Sequence, residues 1–158
     1  MSDLPLGQQL QHFKQITLDY FAKLTPDDGP VLEAPYLQFG DCALLDYASL
    51  VRISGDYEGV LYLTSPVPML GHLLALHGEE EVSQRTLADM CRELSNVLSG
   101  NASRAFGQDW RISVPVSMSA AELRELTLPP SSYVLPIRWR GTTAFLVIGL
   151  VVAAGAPS

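Results

Sequence analysis

Apolar and polar residues follow two different periods along this chain, and the longest helical stretch spans residues 81–107, EVSQRTLADMCRELSNVLSGNASRAFG. Leu87, Met90, Cys91, Leu94, Val97, Leu98, Ala102 and Ala105 recur at the i, i+3, i+4, i+7 spacing that gathers side chains into one stripe. That stripe is a core face. At roughly 100° per residue, Asp89, Glu93, Asn96 and Gly100 fall together on the side opposite Leu87, Leu94 and Leu98 and form one exposed ridge.

An earlier helical pattern covers residues 6–24, where Leu6, Leu10, Phe13, Ile16 or Thr17, Tyr20, Phe21 and Leu24 repeat and Pro5 suits the first turn. The following TPDDGPVLEAP, with three prolines, a glycine and paired aspartates, reads as a surface connection. Strands are expected over 36–44, 47–54 and 57–64, the last two forming an antiparallel hairpin through Ser54-Gly55-Asp56. A short helix over 69–77 is expected to be capped by Ser65, with Pro66 first, and to end at Gly78.

Beyond the long helix, residues 110–118 alternate, with Ile112, Val114 and Val116 on one face and Arg111, Ser113, Pro115 and Ser117 on the other. Pro115 has no N–H to give a ladder, so this strand belongs at an edge or bulges there. Residues 120–128 read as either a short helix or irregular chain. Residues 133–140 and 142–152 form a last hairpin about Gly141, and the run FLVIGLVV suits the middle of a sheet. One helix followed by three strands therefore occurs twice, a candidate α-β-β-β duplication within one α+β domain over residues 1–158.

Composition narrows the function. The charge is −7 with only ten Lys and Arg, scattered along the chain, so the basic footprint that nucleic acid requires is missing. The first residues carry neither a basic segment nor an apolar one of the secretory kind, which points to the cytoplasm. The apolar run from residue 145 to 156 is shorter than the ~20 residues of a membrane-spanning helix. Cys42 and Cys91 read as reduced packing residues. His12, His72 and His77 lack metal-ligand spacing, so no metal site is expected, and Glu79-Glu80-Glu81 reads as a charge run that complements a helix N-terminus.

The ridge is an odd choice for a face that only meets water. Asn and Gly are poor helix-interior residues, Gly costing about 1 kcal/mol against Ala, so Asn96 and Gly100 one turn apart weaken the helix without serving the core. A partner approaching closely over Gly100, beside Glu93 and Asn96, accounts for that cost. Asp89-x3-Glu93-x2-Asn96, then Gly100-Asn101 and a proline in the next strand, resembles the signature helix of the CheC/CheX/FliY chemotaxis phosphatases, nearest the single-site CheX type. Pro115 follows Asn96 more closely than the family pattern has it, which bears on the helix-to-strand connection and not on the helix.

The resemblance implies a CheC/CheX-like fold, two long helices packed on a roughly six-stranded, mostly antiparallel sheet. It implies as substrate the aspartyl phosphate of a CheY-like response regulator in two-component or chemotaxis signalling, with Mg²⁺ brought by that partner and no cofactor in this chain. Glu93 and Asn96 would be the catalytic pair, Asn96 orienting the attacking water and Glu93 pairing with the regulator's lysine. Asp89 and Gly100 would be partner-binding residues, and a homodimer is implied because relatives of the CheX type pair their sheets. The first helix has no E-x-x-N and offers Gln11, Lys14, Gln15 and Asp19 instead, so a single active ridge is expected. The competing reading is a non-catalytic CheX-like module that docks on a receiver domain or another signalling protein.

Overall fold

The structure, a computed structural model, describes residues 5–40, 44–55, 57–106, 110–125 and 131–152. In chain order the elements are α1 (Pro5–Leu24), β1 (Val31–Leu32), β2 (Tyr36–Phe39), β3 (Tyr47–Gly55), β4 (Tyr57–Ser65) and α2 (Val67–Leu76). Then come α3 (Gln84–Phe106), β5 (Trp110–Ile112), β6 (Val116–Met118), α4 (Ala120–Glu125), β7 (Ser131–Trp139) and β8 (Thr142–Val152).

All eight described strands join one sheet in the order β1-β7-β8-β4-β3-β5, with β2 also on β7 and β6 also on β3, and every pairing is antiparallel. The expected six strands become eight because both outer strands are broken in two. On one edge, β1 arises inside the stretch expected to be a surface connection, where Val31 and Leu32 pair with Arg138 and Ile137. The strand expected over 36–44 is formed only as β2; residues 41–43, with Cys42, lie outside the described set. On the other edge, Ser113-Val114-Pro115 separates β5 from β6.

That second break ends the expected alternation. Pro115 is buried and Ile112 packs against the core, whereas Val114 is 80% and Val116 54% exposed, although alternation had put Ile112 and the two valines on one face. The cause is the ladder. Ser113 donates its N–H to Arg52 O at 3.0 Å, and its Oγ accepts from Arg52 N at 2.9 Å, so a side chain replaces the next backbone partner and the strand slips past the proline.

The strand order also carries the duplication. Each helix, α1 or α3, is followed by a split strand and then a hairpin. The two hairpins meet at the centre through β4 and β8, and each split strand lies on the outer flank of the other half's hairpin. Exchanging the halves leaves the order unchanged. β8 is consequently a central strand, which is why its sequence is apolar from Ala144 onward, and the β7–β8 turn is made by Arg140 and Gly141, both at positive φ.

α1 and α3 are the two long helices, and their apolar faces form the main core with the inner face of the sheet: Phe13, Phe21, Leu61, Leu63, Leu94, Leu98 and Trp139 are all nearly or fully buried. α2 joins them with Met69, Leu70, Leu73 and Leu74. The other face of the sheet is covered more lightly by Leu123 of α4, which packs with Leu50, Tyr62 and Val147. Of residues 120–128, Ala120–Glu125 form a helix, and 126–128 lie outside the described residues. The local cause is a capping box: Ser119 N–H donates to Glu122 Oε1 at 2.9 Å and Glu122 N–H to Ser119 Oγ at 3.1 Å. Among the described residues no helix is long and apolar enough to cross a membrane.

Two details of helix ends differ from expectation. The N-cap of α2 is Pro66, not Ser65; Ser65 Oγ turns to Pro66 O, and the free N–H of Val67 is met by Asp46 Oδ2 at 2.9 Å. At its other end, Glu79 N–H donates to Leu74 O and Gly78 adopts φ 81°, the left-handed closure that stops a helix. α3 starts at Gln84, later than residue 81, because Ser83 caps it: Thr86 N–H donates to Ser83 Oγ and Ser83 N–H to Thr86 Oγ1. Glu79, Glu80 and Glu81 therefore lie in the turn before the helix.

Candidate functional site

α3 lies with its small residues on the sheet. Cys91, Ser95 and Ser99 are buried beside Leu94 and Leu98, and Cys91 Sγ reaches Leu63 O of β4 at 3.8 Å. Burial pushes the Cys91 thiol up to about 12. The expected stripe was drawn from apolar residues alone and so omitted Thr86, Ser95 and Ser99, whose small size lets the helix approach the sheet. Val97 is half-buried, while the side chains of Ala102 and Ala105 are outside the described set.

With that face fixed, the opposite one is fixed as well. Asp89, Glu93, Asn96 and Gly100 are all exposed on α3, so the structure brings together the whole candidate ridge. Glu93 has a side chain 57% exposed. Among the described residues the Asn96 carboxamide has no hydrogen-bond partner, and its backbone carbonyl accepts from Ser99 Oγ at 3.5 Å. Among the described residues a Cβ added at Gly100 would meet nothing within 4 Å, so none of them requires glycine there.

Asp89 is held more firmly than its neighbours. Its Oδ1 pairs with Arg92 Nη2, and Arg92 Nη1 donates to Ser117 Oγ of β6 at 2.7 Å. The near end of the ridge is thereby tied to the sheet edge, and the charge of Asp89 is partly answered within the chain.

A groove flanks the ridge on each side. Between α2 and α3 a cleft of about 390 Å³ is floored by Leu74 and Met90 and rimmed by His77, Glu79, Asp89 and Glu93. Between α1 and α3 a smaller one, about 240 Å³, is lined by Ile16, Asp19, Tyr20, Lys23, Val97 and Asn101. The first is acidic, and carboxylates of one sign on a cleft rim favour a cationic visitor.

His77 and Tyr20 are the residues the sequence did not single out. The Tyr20 hydroxyl is 3.0 Å from His77 Nε2, and Glu93 Oε2 is 3.8 Å from the same nitrogen. Burial holds the Tyr20 phenol above its usual range, and the nearby Glu93 charge adds to this, so the hydroxyl keeps its proton. Helical spacing placed Tyr20 in the core and the glycine stop placed His77 at a helix end, but no pattern joins positions 57 apart in sequence. His72 belongs elsewhere, its ring meeting Trp139 edge-on at 5.9 Å. Among the described residues no cluster of His, Cys, Asp and Glu is arranged to hold a metal.

Solved structures share this architecture at low identity. Chemotaxis protein CheX from Desulfovibrio desulfuricans aligns with TM-score 0.73 at 17% identity, covering 92% of this chain and 99% of its own. The CheX of the CheX–CheY–BeF3–Mg²⁺ complex from Borrelia burgdorferi aligns with TM-score 0.69 at 14% identity, covering 90% and 97%. FliM from H. pylori, solved in a complex with SpeE, aligns with TM-score 0.59 at 12% identity, covering 90% and 87%. These likenesses establish the fold. No curated protein sequence matches the chain. The sequence profile described as chemotaxis phosphatase CheX matches residues 47–138, which take in α3 with its entire ridge and more than half of the 158 residues, and the chain belongs to that family.

Proposed function

We propose that this protein is a phosphatase for the aspartyl phosphate of a CheY-like response regulator, acting through the α3 ridge. The observation that carries the reading is the Asn96 carboxamide, exposed and unpartnered among the described residues, one turn from the exposed carboxylate of Glu93. Hydrolysis of an acyl phosphate needs a water in line with the departing carboxylate. It breaks the bond between phosphorus and that oxygen, and the products are free aspartate and inorganic phosphate. Most of the catalysis is positioning and charge stabilisation.

A carboxamide suits that task because it accepts from and donates to one water at once. Asn96 orients the water and Glu93 pairs with the regulator's active-site lysine. Asp89 and Gly100 extend the contact along the helix, Gly100 by leaving room for the partner. The magnesium comes with the partner, as in the Borrelia complex, whose contents include CheY, BeF3 and Mg²⁺. The reaction takes place in the cytoplasm, where phosphorylated receivers are found.

The protein acts as a homodimer. The β1/β2 edge presents Tyr36, Leu37 and Phe39 to solvent, and an open apolar edge strand is a surface that pairs with another chain. The apolar β8, by contrast, is covered within the sheet and contributes no such surface.

The likeness to FliM in its complex with SpeE favours one other reading, a docking module without chemistry. The experiment that decides is the decay of a phosphorylated CheY-type receiver with and without this protein, beside binding of the same receiver loaded with beryllofluoride. Faster decay with wild type, and a loss of roughly 100-fold in that rate for Asn96→Ala with binding retained, is the expected result. Equal activity of wild type and Asn96→Ala would overturn the assignment of Asn96. Tight binding with no acceleration would leave the docking module.

A further inference from the structure

Tyr20, His77 and Glu93 come from three different helical segments and meet at one ring nitrogen. His77 Nε2 has the Tyr20 hydroxyl at 3.0 Å and Glu93 Oε2 at 3.8 Å. A single nitrogen is either a donor or an acceptor. In the neutral ring, a phenol that keeps its proton donates it to Nε2, which selects the tautomer with hydrogen on Nδ1. Glu93 then faces an occupied lone pair and is outside hydrogen-bond reach. In the protonated ring, Nε2 carries a hydrogen and the ring a charge, and the nearest anion is the Glu93 carboxylate.

The carboxylates and the helix end favour the imidazolium, and the Tyr20 hydroxyl, as a donor, favours the neutral ring. Facing the imidazole are Tyr20 from α1, Glu93 and Asp89 from α3, and Glu79 from the turn between α2 and α3. Asp89 is already paired with Arg92. His77 itself occupies the C-cap of α2, where the terminal carbonyls favour a cation. Its side chain is 35% exposed, so protons and buffer reach it.

We propose that His77 is a proton-dependent positioning residue for Glu93: the imidazolium draws the carboxylate toward the groove between α2 and α3, and the neutral ring leaves it to the ridge. The proposal rests on the reading of Glu93 as the group that pairs with a cation of the receiver. Histidine changes charge between about pH 5 and 8, so acidification withdraws Glu93 from that partner. An imidazolium beside the carboxylate also cancels part of the charge that attracts the partner, and both effects have the same sign.

Two measurements test it. The first is an NMR pH titration of the His77 ring in the free full-length protein, for wild type, Glu93→Gln and Tyr20→Phe. The Glu93→Gln midpoint should fall by the equivalent of roughly 2- to 5-fold in proton affinity, the scale of a half-exposed ion pair. Tyr20→Phe should raise the midpoint, because the neutral ring loses its donor. An unchanged midpoint in Glu93→Gln overturns the proposal.

The second is the affinity for a CheY receiver carrying beryllofluoride and Mg²⁺, at pH 8 and pH 6, for wild type and His77→Gln. Wild type should lose roughly 2- to 5-fold more affinity on acidification than His77→Gln does. Equal pH responses would overturn the proposal even if the ring titrates as expected. Absence of binding by either protein would overturn the phosphatase reading alone, because the titration of the free protein decides the His77–Glu93 coupling without a partner.

Discussion

Leu94 and Asn96 lie two positions apart on α3 and point to opposite sides of it, Leu94 into the core at 1% exposure and Asn96 into solvent. Their substitutions should separate accordingly. Leu94→Ala removes a side chain packed between the helices and the sheet and should cost about 2 to 5 kcal/mol. Asn96→Ala and Glu93→Ala should each change stability by about 0.5 kcal/mol or less. Thermal melts of the three variants check the helical register, and a large loss at Asn96 would contradict the orientation of the ridge.

Cys91 supplies a chemical check on the same packing. Burial pushes its thiol up to about 12, so the folded state holds the proton well above the unfolded value near 8.5. A folded pKa raised in this way means that the stability it contributes is fully present below the unfolded pKa. It is lost as pH rises through the window up to about 12. At pH 8, in a Cys42→Ser background, Cys91 should react with iodoacetamide only as fast as the protein unfolds. Alkylation at the rate of a free thiol would show that α3 does not seal this position.

Much of this was legible in the sequence because period and burial coincide. The stripe through Leu87, Leu94 and Leu98 fixed the roll of α3, and with it the ridge, since a helix with one buried face has only one other. The hairpins were legible from Gly55 and Gly141, each bounded by β-branched and aromatic residues. Pro115 was read correctly as an edge device, yet the strict alternation through it was not. The exchange between Arg52 and Ser113 that slips the strand depends on a neighbour far away in sequence. β1 was hidden for a similar reason: Val31 and Leu32 sit among prolines, and only the waiting edge of β7 makes them a strand. The pairing of His77 with Glu93 likewise exists only because α2 and α3 pack side by side.

The open edge at β2 leads to an expected assembly. Phe39 is 71% exposed on a strand whose only described partner is β7, and an exposed apolar edge is a pairing surface. Sedimentation at micromolar concentration should give a dimer, and Phe39→Lys should shift it toward monomer without unfolding it, since the side chain has little packing to lose. A wild-type monomer under those conditions would contradict the dimer. A Phe39→Lys variant that stays dimeric would move the interface away from β2.

Gly100 offers a test in which stability and binding should move in opposite directions. It lies within α3, is exposed, and has open space where a Cβ would stand, so Gly100→Ala meets no obstacle among the described residues. The helix gains, because alanine loses less backbone entropy on folding. The variant should be more stable by about 0.5 to 1 kcal/mol, visible as a higher melting temperature. If a receiver docks on the ridge closely enough to use the missing side chain, that methyl group stands in the contact. Binding of a beryllofluoride-loaded receiver should then weaken while the fold strengthens. A variant that is more stable and binds as tightly as wild type would remove Gly100 from the contact and confine docking to the Glu93 and Asn96 turn. One that is less stable would mean that the helix bends or opens at this glycine.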